Sequence, residues 1–167
     1  VPMSHLVETT MYQISQIFLL PTLALIAILF LYAFWVLGEL AVLALRRRSG
    51  AGRALVAHFS TKPTLSPDEL DVIAHKALEV PRIASRVTPM LGLVATMIPM
   101  GPALKSLSDG NLADVSHNLT IAFSAVILAL IAASITYWVV NVRRRWLAEE
   151  LVWLQRQGVR TPAAGHL

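Results

Sequence analysis

Three long apolar stretches dominate the pattern of hydrophobic and polar positions along the chain. They cover residues 14–45, 87–104 and 117–142, and Glu39 is the one Asp, Glu, Lys or Arg inside them. A helix needs about 20 mostly apolar residues to cross a bilayer, so the second stretch, at about 18, is marginal. The first is longer than a span requires and is expected to tilt or protrude. It is also too long for the apolar part of a signal peptide.

The pattern therefore predicts three transmembrane helices, assigned to residues 14–45, 87–105 and 117–142. Residues 1–13 are expected to form a short outer segment, and residues 106–116 an outer loop. Residues 143–167 are expected to continue the third span as a cytoplasmic helix to Gly158, a C-cap, followed by a disordered tail. The predicted fold class is an all-α membrane protein with three transmembrane helices and cytoplasmic helical extensions.

Residues 46–86, between the first two spans, contain a predicted amphipathic helix at residues 66–80, after a flexible join at Gly50–Arg53. Ser66 is the predicted N-cap, and Glu69 completes a capping box. Apolar residues recur at helical spacing on one face: Leu70, Ile73, Ala74, Ala77 and Leu78. Pro81 is expected to end this helix. The apolar face must pack on the cytoplasmic extension of the third span or on a neighbouring subunit.

Composition supports a membrane protein. Hydrophobic residues make up 56% of the 167 residues and charged residues 14%, whereas about a quarter of a soluble domain is charged. Arginines cluster beside one end of each apolar stretch: Arg46, Arg47, Arg48, Arg53, Arg82, Arg86, Arg143, Arg144 and Arg145. Between the second and third stretches, Lys105 is the one Lys or Arg. By the positive-inside rule the N-terminus lies outside and the C-terminus in the cytoplasm. The net charge of +4 thus reflects topology and not nucleic-acid binding.

The sequence offers little for catalysis or metal binding. It has no cysteine, which excludes disulfides and thiolate sites. His58 and His75 have no second ligand at metal spacing and are expected to be surface residues. No acid–base pair or nucleophile constellation lies in or beside the spans, so neither an enzyme nor a cofactor is predicted.

The third span has two distinct faces at about 100° per residue. One face carries polar side chains: Thr120, Ser124, Ser134 and Asn141. The roughly opposite face carries small ones: Ala122, Ala125, Ala129, Ala132 and Thr136. These polar groups either donate hydrogen bonds to the backbone of their own helix or face a neighbouring polar surface or a hydrated path. Small residues allow close helix approach in lipid, so Ala125, Ala129 and Ala132 are predicted to pack subunits together in a homo-oligomer.

The second span contains residues that disturb helices. Pro89 lies in its first turn, and Gly92 allows close packing. Pro99, Gly101 and Pro102 are expected to loosen its outer end, which gives these five residues predicted structural or gating roles. Thr96 lies near mid-membrane, where an unused hydroxyl is least expected.

Charge is absent from the centre of every span. Glu39 lies near the inner boundary, where it is predicted to pair with Arg46 or Arg47 or to cap a neighbouring helix; we take Glu39–Arg46 as the predicted charge pair. A proton or cation path normally needs an ionisable group within the membrane. If the protein conducts ions, another chain must supply the central carboxylate.

The stretch TPMLGLVATM, Thr88–Met97, resembles the second-span pattern A-P-L-L-G-L-L-G-T-V of the MotA/TolQ/ExbB proton-channel family. The matching positions are Pro89, Leu91, Gly92, Leu93 and Thr96, whereas Ala95 replaces a family glycine. The order Trp35, Glu39, Arg46 is similar to the family's W-x-x-x-x-E-[KR] pattern. Asn141, ahead of basic residues, is similar to its Y-N-R ending.

The resemblance implies a pentamer around two helices of a single-span partner resembling ExbD, TolR or MotB, whose membrane Asp carries protons or sodium ions. Thr96 corresponds to the family's second-span threonine. Ser124 is the nearest candidate for the third-span threonine and Thr120 the second, with Ser134 further along the path. The cytoplasmic loop of about 40 residues favours the TolQ/ExbB type over flagellar MotA. The resemblance implies a motor in a prokaryotic cytoplasmic membrane; the alternative is a non-conducting scaffold.

Overall fold

The computed structural model describes residues 2–50, 53, 56–57, 60 and 66–159. Within these ranges the chain forms four long α-helices: α1 (Pro2–Ile17), α2 (Leu19–Arg48), α3 (Pro67–Ser108) and α4 (Leu112–Val159). Three helical stretches are long and apolar enough to cross a membrane: Met3–Arg48, Asp68–Ser108 and Leu112–Gln157. The prediction of an all-helical protein with three helices long and apolar enough to span a membrane is confirmed for the described residues.

The chain divides into two compact units. The first combines Val1–Phe34 with Ala84–Ile135, and the second combines Trp35–Ile83 with Thr136–Leu167. Each unit has its own apolar cluster. The candidate site residues of the second and third spans up to Ser134 belong to the first unit, and the charged groups near Glu39 belong to the second.

The N-terminal segment is helical. It forms α1, and a single residue, Phe18, separates α1 from α2. Pro21 explains the interruption, because it has no N–H to donate to the carbonyl of Ile17, four residues earlier. The helical bonds on either side persist, since Phe18 N donates to Ile14 O at 3.4 Å and Thr22 N to Phe18 O at 3.0 Å.

α3 continues through four prolines inside its length: Pro81, Pro89, Pro99 and Pro102. The prediction that Pro81 ends the amphipathic helix is therefore wrong, and so is the expectation that α3 loosens at Pro99–Pro102. Each proline removes one backbone donor but keeps a helical φ. For Pro89, Pro99 and Pro102, which lie in the apolar stretch, a continuous helix still satisfies more backbone groups than an unwound segment would. Pro81 lies outside that stretch, and its side chain is buried in the folded chain. The local tendency to break is overridden for these reasons.

The connection between α3 and α4 is a tight turn, Asp109–Asn111, and much shorter than the loop predicted at residues 106–116. Gly110 adopts a φ of 73°, and Asn111 N donates to Ser106 O at 2.9 Å. Asn111 then caps α4, because its Oδ1 accepts from Asp114 N at 3.3 Å.

The N-terminus of α3 has the predicted capping box. Ser66 N donates to Glu69 Oε2 at 2.8 Å, and Glu69 N donates to Ser66 Oγ at 3.2 Å. Behind it, Leu70 and Ala74 pack on Leu154 of α4. Of the two partners proposed for the apolar face of this helix, the extension of the third span is the one observed.

α4 runs without interruption through the third apolar stretch and ends at Val159, one residue beyond Gly158. Three of the predicted features lie outside the described residues. They are His58, residues 51 and 52 of the predicted join, and residues 160–167 of the predicted tail. The expectations for them stay predictions.

Candidate functional site

Thr96 lies on α3 with its side chain partly exposed. Its Oγ1 donates to the backbone oxygen of Leu93 at 2.7 Å, within the same helix. A hydroxyl that donates one bond still has lone pairs to accept others. The neighbouring Ala95 is fully buried, so Thr96 sits at the edge of the packed side of α3 and is accessible from outside the subunit.

The polar face of α4, defined here as Thr120, Ser124, Ser134 and Asn141, is exposed along its whole length. Three of these side chains bond the backbone of their own helix. Thr120 Oγ1 donates to Ser116 O at 2.8 Å, and Ser134 Oγ donates to Leu130 O at 2.8 Å. Asn141 Nδ2 donates to Tyr137 O at 3.0 Å. The polar face points away from the rest of the chain, and three of its four side chains donate to the backbone of α4 itself.

The small face of α4, defined as Ala122, Ala125, Ala129, Ala132 and Thr136, is buried. Ala125 and Ala129 pack with Ile26 of α2 and Ala95 of α3. A Cβ atom added to Gly92 of α3 would meet the Cβ of Ala129. Ala125, Ala129 and Ala132 thus have no surface left for a second subunit, and their predicted role in oligomer packing is wrong. Small residues bring the helices of one subunit together here, a use that periodicity cannot distinguish from contact between subunits.

Thr88 is a further hydroxyl of the second span, which the sequence argument did not single out. It is 1% exposed, and its Oγ1 donates to Ala84 O at 2.6 Å. The signal was available, because Thr88, Gly92, Ala95 and Pro99 follow at helical spacing on one side of α3. Thr88 belongs to the packed side and Thr96 does not.

The C-terminal half of the second span has a partner that was also missed. Gln16 of α1 donates from Nε2 to the backbone oxygen of Ile98 at 3.0 Å. Tyr12, one helical turn earlier, lies against Gly101. The prolines, glycine and threonine of this stretch therefore sit in a continuous helix beside α1.

In the second unit, Glu39 Oε1 accepts from Arg143 Nη2 at 2.6 Å. The predicted pair of Glu39 with Arg46 is therefore wrong. Arg46 and Glu39 lie on one helix at a spacing of seven residues, whereas Arg143 comes from α4 and reaches across to Glu39. The alternative that Glu39 caps a neighbouring helix is not observed either, because Arg143 lies within α4 and not at its end.

A second ion pair, which the sequence did not indicate, lies about two turns further along both α2 and α4. Arg47 donates to the carboxylate of Glu150, which is 4% exposed. The Arg47 guanidinium also donates to Trp146 O at 3.3 Å and lies 4.6 Å from the centre of the Trp146 ring. Glu150 follows Arg143 by seven residues, and that spacing places both on one side of α4.

Within the part of the chain that the structure describes, no group of three or more His, Asp or Glu side chains could hold a metal ion. His75 Nδ1 lies 3.6 Å from Asp71 Oδ1, one turn earlier on an exposed surface.

The sequence model of the MotA/TolQ/ExbB proton channel family matches residues 68–155, more than half of the chain. The chain belongs to the MotA/TolQ/ExbB proton channel family. The match begins at the second residue of α3 and ends four residues before the end of α4, so it includes Thr96 and both faces of α4. Comparisons with curated proteins and with solved structures gave no match.

Membership has two consequences. This MotA/TolQ/ExbB protein is a multi-pass membrane protein, in agreement with its three apolar helices. Its family consists of channel subunits and not of enzymes. Arg143 and Glu150 lie within the matched residues, whereas their partners Glu39 and Arg47 on α2 lie outside them.

Proposed function

We propose that this protein is an ion-conducting subunit, of the TolQ/ExbB type, of a motor driven by the proton motive force. One observation carries the proposal: within the family match, α4 buries its small face and exposes its polar face. Polar groups that point out of a membrane subunit need a polar or hydrated neighbour, because lipid tails offer none.

The ion path in this proposal consists of Thr96, Thr120, Ser124 and Ser134. Thr96, Thr120 and Ser134 donate to their own helices, so their oxygens serve as acceptors for water or for a hydrated ion. Pro89 and Gly92 shape the inner half of the second span and Pro99, Gly101 and Pro102 its outer half.

A partner completes the path. Residues 87–104 and 117–142 contain no Asp, Glu, Lys or Arg. Proton transfer across a membrane needs a group that binds and releases protons, so a carboxylate must come from elsewhere. We infer a single-span partner, similar to ExbD, TolR or MotB, with one Asp in its membrane helix. Protons are the inferred ion, and sodium the second choice.

The assembly we infer is a homopentamer around the partner helices, in the cytoplasmic membrane of a prokaryote. The clustered arginines place the N-terminus outside and the C-terminus in the cytoplasm. Because the small face of α4 is used inside the subunit, contacts between subunits must use exposed apolar side chains of the spans. The short segment between α2 and α3 leaves little room for a rotor-binding domain and supports the TolQ/ExbB type.

A non-conducting scaffold is the second candidate. Thr96, Thr120 and Ser134 already have backbone acceptors for their hydroxyl protons, which is also what a hydroxyl without a transport role would show. The two candidates differ in what happens when a hydroxyl is removed without change of shape.

Thr96→Val makes that test in vesicles that contain the protein co-purified with its partner. We expect ion flux to fall at least tenfold while the assembly keeps its mass, because Val preserves the volume and removes the acceptor. Thr9→Val is the matched control, since Thr9 makes the same kind of bond, Oγ1 to His5 O at 2.8 Å, outside the proposed path. Full flux through Thr96→Val would remove Thr96 from the ion path, and absence of flux through the native complex would favour the scaffold.

A further inference from the structure

One carbonyl in the C-terminal half of the second span lacks its helical donor. In an α-helix the N–H of residue 102 would donate to the oxygen of Ile98. That residue is Pro102, which has no N–H. Ile98 is 8% exposed and lies in an apolar stretch. An unpaired carbonyl in such surroundings is costly, so the position demands a donor from elsewhere.

Gln16 of α1 supplies that donor. Its Nε2 lies 3.0 Å from Ile98 O, a normal length for an N–H···O bond. The side chain is partly buried, in contrast to the neighbouring amide Gln13, which is exposed. The polar side chain of α1 that turns toward the subunit is thus directed at the oxygen that Pro102 leaves free.

A second contact, one helical turn away, fixes the direction of α1. A Cβ atom on Gly101 would lie 3.0 Å from Cε2 of Tyr12, so the glycine allows the ring to approach the backbone of α3 closely. Tyr12 and Gln16 are four residues apart and share one side of α1. They meet Gly101 and Ile98 in reversed order, which makes the contact antiparallel.

The opposite side of α1 is largely apolar, and Thr10 on that side donates from Oγ1 to Leu6 O within α1 at 2.7 Å. At about 100° per residue its exposed apolar side chains lie roughly opposite Tyr12 and Gln16. They are Met3, Leu6, Val7, Met11, Ile14 and Ile17. Apolar contacts tolerate sliding and rotation, whereas a hydrogen bond to one oxygen does not. The register of α1 on α3 therefore depends on Gln16.

We propose that Gln16 is a positioning residue of the ion path. It docks α1 on α3 by replacing the N–H that Pro102 lacks. Because Ile98 follows Thr96 by two residues, the same bond holds α3 straight in the turn immediately after Thr96. The docking stands on the geometry alone; the consequence for conduction rests on the proposed function. Without Gln16 the freed carbonyl must find water or another donor, and the turn that presents Thr96 loses its support.

The docking can be measured as a distance. The chain has no cysteine, so spin labels at Thr9→Cys and Lys105→Cys, both at exposed positions, report a single pair. We expect one narrow distance in the native background. In Gln16→Leu the undocked fraction rises by roughly threefold to tenfold, the effect of one net hydrogen bond. Gln13→Leu is the matched control and leaves the distribution unchanged.

Pro102→Ala makes the test specific. Alanine restores the N–H of residue 102, so Ile98 O regains its helical donor and no longer needs Gln16. We expect Gln16→Leu to add nothing to the undocked fraction in the Pro102→Ala background. An equal rise in both backgrounds, or no rise in the native one, overturns the docking mechanism.

Ion flux in vesicles with the co-purified partner tests the positioning role. We expect Gln16→Leu to lower the flux several-fold and Pro102→Ala to restore it in the double variant. Native flux in Gln16→Leu overturns the role in the path. If the native chain carries no flux, the proposed function fails and that role with it, while the distance measurement still decides whether Gln16 docks α1.

Discussion

A Cβ atom added to Gly92 would lie 2.9 Å from the Cβ of Ala129, closer than two such atoms approach in proteins. This contact joins the second and third spans at the cluster of Ile26, Ala95, Ala125 and Ala129. Packing by small residues is a main source of helix association in a membrane, because lipid gives no hydrophobic driving force between helices. The absence of a side chain at position 92 sets the distance between the two helices.

Gly92→Val is therefore expected to destabilise the subunit by about 1–3 kcal/mol, the usual cost of overpacking. Thermal unfolding in mild detergent measures it. Gly38→Val is the matched control, since a Cβ there meets nothing within 4 Å. The smaller change Gly92→Ala should be compensated by Ala129→Gly, and failure of that exchange would show that the contact does not set the helix distance.

Glu150→Ala is expected to destabilise the second unit more than any exposed substitution. It would remove the buried carboxylate beside the Arg47 guanidinium, which is 17% exposed, and leave it the exposed Glu149 at 4.0 Å. Breaking a buried pair costs about 3–5 kcal/mol. Denaturation monitored by Trp fluorescence is suited to this, because Trp146 lies against Arg47.

The control for that measurement is Arg145→Ala. Arg145 is 73% exposed and lies 3.8 Å from Glu149, one turn along the same helix. Exposed pairs of this kind contribute about 0–1 kcal/mol. Equal losses in the two variants would mean that the Arg47–Glu150 pair is hydrated and not part of the core.

A charge exchange can establish the partner of Glu39. Glu39→Arg and Arg143→Glu should each lower stability, and the double variant should recover most of it, with a coupling energy of about 1 kcal/mol for this partly exposed pair. The same cycle between Glu39 and Arg46 should show no coupling. Coupling to Arg46 instead of Arg143 would restore the pairing that the sequence suggested.

Ser66→Ala tests the start of α3. Loss of an N-cap costs about 1 kcal/mol, and here the reciprocal bond from Ser66 N to Glu69 Oε2 at 2.8 Å would lose its geometry. Hydrogen exchange of the first turn should accelerate while the spans stay protected. Ser49→Ala, which removes a hydroxyl bonded to Arg46 O at the end of α2, should leave that turn unchanged.

Local patterns in the sequence were enough for the spans, the capping box at Ser66 and the two faces of α4. Each of these depends on residues within a few turns of one helix, where apolar periodicity and side-chain-to-backbone bonds decide the outcome. The two faces of α4 were visible because Ala125 and Ser124, although adjacent in sequence, point in different directions.

Contacts between helices could not be derived in the same way. The pattern showed that the face with Ala125 and Ala129 consists of small residues. It did not show that Gly92 of the same chain packs against that face. Glu39 and Arg143 are far apart in sequence, and neither position indicates the other. Pro81 failed as a stop signal because tertiary packing overrides the local rule: its side chain is buried in the folded chain.

The prolines of the second span have a mechanical consequence. At about 100° per residue, Pro89, Pro99 and Pro102 lie within roughly 140° of one another around α3. All three are on its buried or partly buried side. Each opens the backbone ladder on that side alone. The helix therefore lacks several ladder bonds over one buried arc, so a sideways force on Thr96 would bend α3 more easily than a helix with a complete ladder.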